Sequence, residues 1–335
     1  MAFTSTLTHQ PREASSIAPT AVAKSPSAYA RFAWGVLAFN LLVILWGAYV
    51  RASGSGAGCG NHWPLCNGEI VPRSPAIATL VELGHRLTSG AALLLVGALV
   101  VGARRRFPRG HEVRRAATWS AFFLVTEALI GAGLVLLELV AQNTSLARGY
   151  WVGGHLLNTF LLVASLTLTA WYASGAKPPL LTSPKSRVVP LAVALLSVLL
   201  LGISGAVTAL GDTLFPASTL AEAEALTFST SAHLFVRLRI WHPSIAAAVG
   251  ILLLVAVRQG LAATPTTAAR PLARALVALY ATQILIGAAN VWFLAPIGIQ
   301  LAHLLLSHLI WVTLVLFAAS VLAPPVVVSE LKEKY

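Results

Sequence analysis

The sequence predicts an all-α integral membrane protein whose eight transmembrane helices form two repeat-related four-helix bundles. Three observations predict it: an apolar composition, apolar runs of membrane-spanning length, and self-similarity between the two halves. Of 335 residues, 57% are hydrophobic and only 10% are charged, whereas soluble domains carry roughly 25% charged residues. A soluble fold of this size has no interior able to hide so much apolar surface. The runs are about 20 residues long, which is what a helix rising about 1.5 Å per residue needs to cross a hydrocarbon layer some 30 Å thick.

The eight spans are predicted at 30–50, 76–102, 116–140, 149–173, 188–210, 233–257, 272–293 and 298–323. Each is punctuated by Pro, Gly or charge. Arg51 closes the first, Pro75 and the run from Arg104 bracket the second, and Arg114-Arg115 precede the third. Arg148 opens the fourth, Arg187 the fifth, and Arg258 closes the sixth. Arg270-Pro271 precede the seventh, and Pro296 and Pro324 bracket the eighth. The domain reading follows: a disordered cytoplasmic tail at 1–29, a first bundle at 30–174, a cytoplasmic linker at 175–187, a second bundle at 188–323 and a cytoplasmic tail at 324–335.

A net charge of +12 would point to nucleic acid in a soluble protein. Here its distribution reports orientation instead, and no nucleic-acid partner is expected. With the N-terminus inside, the inner segments hold Arg12, Lys24, Arg31, Arg104, Arg105, Arg106, Arg109, Arg114, Arg115, Lys177, Lys185, Arg187, Arg258, Arg270, Arg274, Lys332 and Lys334, which is 17 of the 23 basic residues. The remaining six, Arg51, Arg73, Arg86, Arg148, Arg237 and Arg239, fall on the outer side. Cytoplasmic loops carry the excess of Lys and Arg, so both termini are read as inside, with the run Arg104–Arg115 facing anionic lipid. The first residues lack the apolar stretch of a secretory signal. Cys59 and Cys66 share the first outer loop, the oxidising side of a bacterial plasma membrane, where a disulfide can form.

The repeat is visible in three places. Gly47-Ala48 parallels Gly205-Ala206 at an offset of 158, His85 parallels His242 at 157, and Leu-Ile-Gly-Ala at 129–132 parallels the same tetrapeptide at 285–288 at 156. His155-Leu-Leu parallels His303-Leu-Leu at 148, through a shorter loop. Each half has an even number of spans, so both halves start from the same side and are related by an axis along the membrane normal.

Ionisable or metal-ligating side chains are costly inside a membrane and mark functional positions. His85, His155, His242 and His303 lie on the even-numbered spans, in the outer half of the bilayer. One histidine from each of two helices of a bundle supplies both axial nitrogens of a haem iron, so the four describe two haem pockets. For any one of them, a hydrogen-bonded structural histidine is the alternative; repetition argues against it for all four. His308 is rotated away from His303 and reads as packing, while His9, His62, His111 and His233 belong to tails, loops or a helix mouth. No carboxylate or Cys accompanies the four at ligand spacing, which argues against zinc, and the absence of C-x-x-C-H argues against covalent haem attachment.

Glu82 stands three residues before His85, on the same face. Interfacial snorkelling is one reading, and a buried acid that relays a proton or stabilises charge is the other. The matching position in the second half is Arg239, so the two pockets differ chemically. Arg51, Arg86, Arg237 and Arg239 sit near the outer helix ends, where a guanidinium can grip a haem propionate bidentately; Arg86 and Arg239 rank first, ahead of Arg51.

These segments resemble haem A synthases. The resemblance rests on Gly47-Ala-Tyr-Val-Arg51, Ser53-Gly-Ser-Gly56, Cys59 through Trp63-Pro-Leu-Cys66-Asn-Gly, Glu82-Leu-Gly-His85-Arg86, His155-Leu-Leu-Asn158, Arg239-Ile-Trp-His242-Pro243 and Gln300-Leu-Ala-His303, over roughly 35–320. It implies oxidation of the C8 methyl of haem O to the formyl of haem A by successive hydroxylations. It further implies that His85 and His155 serve the substrate haem O, that His242 and His303 ligate haem b, and that Glu82 assists the chemistry. The pair Cys59 and Cys66 matches the family's outer-loop cysteines, either a thiol–disulfide couple or a loop staple. The implied partners are the haem O synthase that supplies substrate, an unidentified electron donor and membrane lipid, with homo-oligomerisation left open. A diheme electron carrier linked to quinol is the rival reading, but it leaves Glu82 without a role. A transporter fits the repeat but not the paired histidines.

Overall fold

The computed structural model describes residues 27–180, 182–262 and 266–324. Arg12, Lys24, Lys332, Lys334, His9 and most of the two tails lie outside the described residues. Among those described there is no strand, and eight helices are long and apolar enough to cross a membrane. In chain order the helices are α1 (Ala28–Ala52), α2 (Ile77–Arg106), α3 (Glu112–Leu136), α4 (Leu146–Ala173), α5 (Lys185–Leu214), a short α6 (Leu220–Phe228), a four-residue α7 (Leu234–Arg237), α8 (Trp241–Ala262), α9 (Ala269–Trp292) and α10 (Ile297–Leu322). A 3-10 turn, Leu238–Ile240, joins α7 to α8, and the three segments together make the sixth span.

The spans agree with the sequence reading to within a few residues, and the differences have local causes. The third span starts and stops four residues earlier than expected. His111 Nδ1 accepts from the Val113 N–H and caps its start, and Glu138 and Ala141 adopt positive φ just past its end, which an α-helix cannot continue through. Arg114 and Arg115 are therefore helical. The helix α6 was not anticipated; the Thr219 hydroxyl caps it by accepting from the Glu222 N–H. The 3-10 turn before α8 follows from Pro243, which has no N–H to donate to the Arg239 carbonyl four residues back.

Helices α1 to α4 pack in a closed sequence of neighbours, α1 on α2, α2 on α3, α3 on α4 and α4 back on α1. Helices α5, α8, α9 and α10 do the same. The two sets meet where α4 lies against α5 and α10, and α1 against α10. Accordingly α4 and α10 are the spans with more than half of their central residues buried. Lipid is as apolar as any Leu, so helices hold together through close packing and interhelical hydrogen bonds. Aromatic donors supply several: Tyr29 Oη donates to the Leu99 carbonyl at 2.8 Å, Tyr280 Oη to Ala246 at 2.6 Å and Trp311 Nε1 to Phe160 at 2.7 Å. The last joins α10 to α4, and His308 stacks on the same Phe160 with ring planes 11° apart, so His308 is a packing residue between the halves.

Candidate functional site

The four intramembrane histidines share one structural device. Each lies against a glycine of the preceding long helix: His85 on Gly47 of α1, His155 on Gly131 of α3, His242 on Gly205 of α5 and His303 on Gly287 of α9. A Cβ at Gly47 would sit 2.8 Å from His85 Cε1, and one at Gly205 or Gly287 would sit 3.0 Å from Cε1 of His242 or His303. At Gly131 the fit is looser, 3.9 Å to His155 Nε2. The glycines belong to the repeated Gly-Ala and Leu-Ile-Gly-Ala pairs of the sequence. For three of them the recurrence now has a cause: Gly47, Gly205 and Gly287 vacate space that an imidazole occupies, whereas a Cβ at Gly131 would make only ordinary contact with His155.

In the second half the rings of His242 and His303 face each other, with centroids 6.3 Å apart and planes at 74°. His242 Nδ1 lies 2.8 Å from Ser204 Oγ. His303 Nδ1 is buried without a partner among the described residues. The Gln283 amide donates to the His303 carbonyl at 3.1 Å and so steadies the helix rather than the ring. Two imidazoles that share one first-row metal atom, each nitrogen about 2.0–2.1 Å from it, have centroids roughly 6 Å apart. The observed separation fits that arrangement. No group of three or more His, Cys, Asp or Glu suited to holding a free metal ion exists among the described residues. Two histidines without further ligands suit an iron whose other positions a macrocycle already fills.

In the first half, Glu82 is buried and both its oxygens are engaged. Oε1 pairs with Arg86 Nη2 at 2.5 Å, and Oε2 accepts from the Cys59 N–H at 2.9 Å. Arg86 Nη1 in turn donates to the carbonyls of His62 at 2.7 Å and Leu65 at 2.5 Å. Cys59 and Cys66 form a disulfide. Glu82 is thus joined through the Cys59 amide and through Arg86 to the loop that the disulfide closes. It does not snorkel. This linkage was not legible in the sequence, where Glu82 and the cysteines are more than 15 residues apart.

The sequence reading also missed two acids: Glu127, to which the rule that marked Glu82 applies equally, and Asp212, which lies past the predicted end of the fifth span at 210 but inside α5 (Lys185–Leu214). Glu127 Oε1 lies 3.3 Å from His155 Nδ1. Its carboxylate accepts from Asn158 Nδ2 at 2.6 Å and from Thr159 Oγ1. Asp212 Oδ1 pairs with Arg239 Nε at 2.8 Å, and Arg239 Nη2 donates to the Phe215 carbonyl at 2.9 Å. Arg51 leaves α1 and crosses to the second half. Its Nη1 donates to the Ala209 carbonyl at 2.8 Å and to Thr213 Oγ1 at 2.6 Å, and its Nη2 donates to Gln300 Oε1 at 3.2 Å. Arg237 is exposed, and His233 and His111 serve as helix caps.

Fold and site together define a multi-pass membrane protein with four intramembrane histidines, two in each half, those of the first half on the helices that carry or face the acids Glu82 and Glu127, beside a disulfide-closed loop. The family model for cytochrome oxidase assembly proteins, COX15-CtaA, matches residues 30–315. The chain belongs to that family. A Thermus thermophilus protein named Protoheme IX farnesyltransferase is 48% identical over 296 residues, covering 88% of this chain and 49% of that protein. The chain therefore spans about half the length of this relative. Proteins named Heme A synthase from Bacillus cereus and Bacillus anthracis are 47% identical over 96 residues, 29% of this chain and 31% of theirs.

Proposed function

We propose that the chain is a haem A synthase of a bacterial plasma membrane, with both termini cytoplasmic, that oxidises the C8 methyl of haem O to the formyl of haem A by successive hydroxylations. The observation that carries the reading is the fourfold histidine-on-glycine arrangement combined with its chemical asymmetry. Family membership and the Heme A synthase relatives support it independently.

The domain reading assigns the substrate to the first bundle, 30–174, and haem b to the second, 188–323. The closed neighbour pattern within each set of four helices supports two repeat-related bundles. His85 and His155 then hold haem O, and His242 and His303 hold haem b. A haem iron supplies the oxidative chemistry when bound. The chain positions it: glycines admit the imidazoles, and Arg51, Arg86 and Arg239 retain N–H donors for propionate carboxylates while their own partners hold the guanidinium planes still. Glu82 is the acid beside the substrate histidine, steadied by Arg86 and the Cys59 amide. The disulfide acts on that acid through the loop, whether it serves as a redox couple or as a staple. Haem O reaches the site from a prenyl-transferring synthase, a partnership favoured by the relative of about twice the matched length that is named for protohaem farnesylation.

The test is to purify the protein after co-expression with a haem O source and to identify the extracted haems by chromatography and mass. Haem A in the extract is the expected result. Recovery of haem b alone, with haem O unconverted under air, overturns the synthase reading in favour of a diheme electron carrier.

A further inference from the structure

Glu127 is a carboxylate held inside the third span, 17% exposed, and the mechanism above makes no use of it. Its surroundings are built to aim it. Asn158 Nδ2 donates to Oε2 and also to the Phe123 carbonyl at 2.8 Å, while Asn158 Oδ1 accepts from Thr126 Oγ1 at 2.7 Å. The single Thr159 hydroxyl hydrogen is shared between Oε1 and the His155 carbonyl, the latter at 2.8 Å. These contacts come from the turn of α4 that begins at His155, so the carboxylate and the imidazole are fixed relative to each other. Oε1 is left 3.3 Å from His155 Nδ1. One turn further along α3, Gly131 borders the other ring nitrogen, Nε2, where a Cβ would lie 3.9 Å away.

The other three histidines lack this feature. None of the Nδ1 atoms of His85, His155 and His303 meets hydrogen-bond geometry with a partner among the described residues, but only His155 Nδ1 has a carboxylate oxygen at ion-pair distance, 3.3 Å; His242 Nδ1 has only the neutral Ser204 hydroxyl. The repeat sharpens the contrast: at the offset of 156, position 127 corresponds to 283, where the second half carries Gln283, and that amide bonds a backbone carbonyl instead of a ring. The two halves therefore differ by a half-buried carboxylate behind one histidine.

A carboxylate that accepts from Nδ1–H fixes the imidazole tautomer, orients the ring and makes Nε2 a stronger donor to a metal. We propose that Glu127 is a positioning residue that makes His155 the most electron-donating of the four histidines, so that a haem iron in the first half is held toward its oxidised state relative to one in the second. The proposal rests on the reading that the histidine pairs hold haem, and it assigns Glu127 no contact with substrate.

The test uses the full chain in detergent or nanodiscs with hemin as the probe, the two midpoint potentials being assigned by the one that disappears in H242A. Wild type, E127Q and E127D are titrated optically, with low-spin ferric spectra recorded in parallel. Gln is already present at the corresponding position of the second half, so E127Q is compatible with this helix packing. The expected result is that E127Q raises the first-half potential and alters its ferric spectrum, leaves the second-half potential unchanged, and is reverted at least in part by E127D, which restores the anion. Unchanged potentials in E127Q, equal shifts at both haems, or loss of first-half haem that E127D fails to rescue would overturn it. Failure of the wild-type chain to bind hemin at all would instead overturn the haem-binding reading itself.

Discussion

Replacing Gly205 with Ala places a methyl carbon 3.0 Å from His242 Cε1 and 3.6 Å from both ring nitrogens. Carbon atoms pack best at about 3.5–4.0 Å, so the ring must retreat by roughly 0.5 Å. It has little freedom to do so, because Ser204 Oγ on the adjacent residue of α5 lies 2.8 Å from Nδ1. Either that bond is lost or the ring shifts relative to that of His303, whose centroid lies 6.3 Å away. Overpacking of this kind costs about 1–3 kcal/mol, which corresponds to about 5- to 150-fold weaker retention of haem b. The assay is the rate at which haem leaves the purified protein for an excess of apomyoglobin, with G97A as control, since a Cβ at Gly97 meets nothing within 4 Å. Wild-type retention in G205A, or equal loss in G97A, would refute the idea that glycine makes the histidine pocket.

Further outcomes follow from the same geometry. H242A and H303A are expected to abolish stably bound haem b, whereas H85A keeps most of it and stops turnover; equal loss from both halves contradicts the division of roles. E82Q is expected to keep haem and lose product, and also to loosen the loop, because Arg86 and the Cys59 N–H address different carboxylate oxygens and Gln replaces one of them with an NH2 donor. Faster alkylation of Cys59 and Cys66 under mild reductant reads the second effect, and unchanged activity makes Glu82 structural. R51A removes the charge-assisted hydrogen bonds from α1 to α5 and α10, worth on the order of 2–3 kcal/mol. Its expected signature is a lower melting temperature in detergent, and a melting curve identical to wild type would count against Arg51 as a tie between the halves.

Most of the architecture was legible along the chain because a bilayer imposes a one-dimensional rule. A span must be about 20 apolar residues long and must satisfy its backbone internally, so composition and run length alone place eight helices. The four histidines were legible for the same reason, since a polar ring in such a run is an exception that demands an explanation. What stayed hidden depends on neighbours that the chain brings together from a distance. Glu127 behind His155, Asp212 on Arg239, Glu82 on the Cys59 amide and Arg51 reaching Thr213 and Gln300 are all contacts between different helices or between a helix and a loop. A periodic pattern reports which face of a helix is apolar, but not which helix that face meets. The repeated glycines show the division plainly. Sequence alone established that Gly47, Gly205 and the two Leu-Ile-Gly-Ala segments recur; only the packing of α1 on α2, α5 on α8 and α9 on α10 showed that Gly47, Gly205 and Gly287 leave room for the imidazoles, and that of α3 on α4 that Gly131 borders His155 more loosely. A missing side chain acquires meaning only from what fills its place.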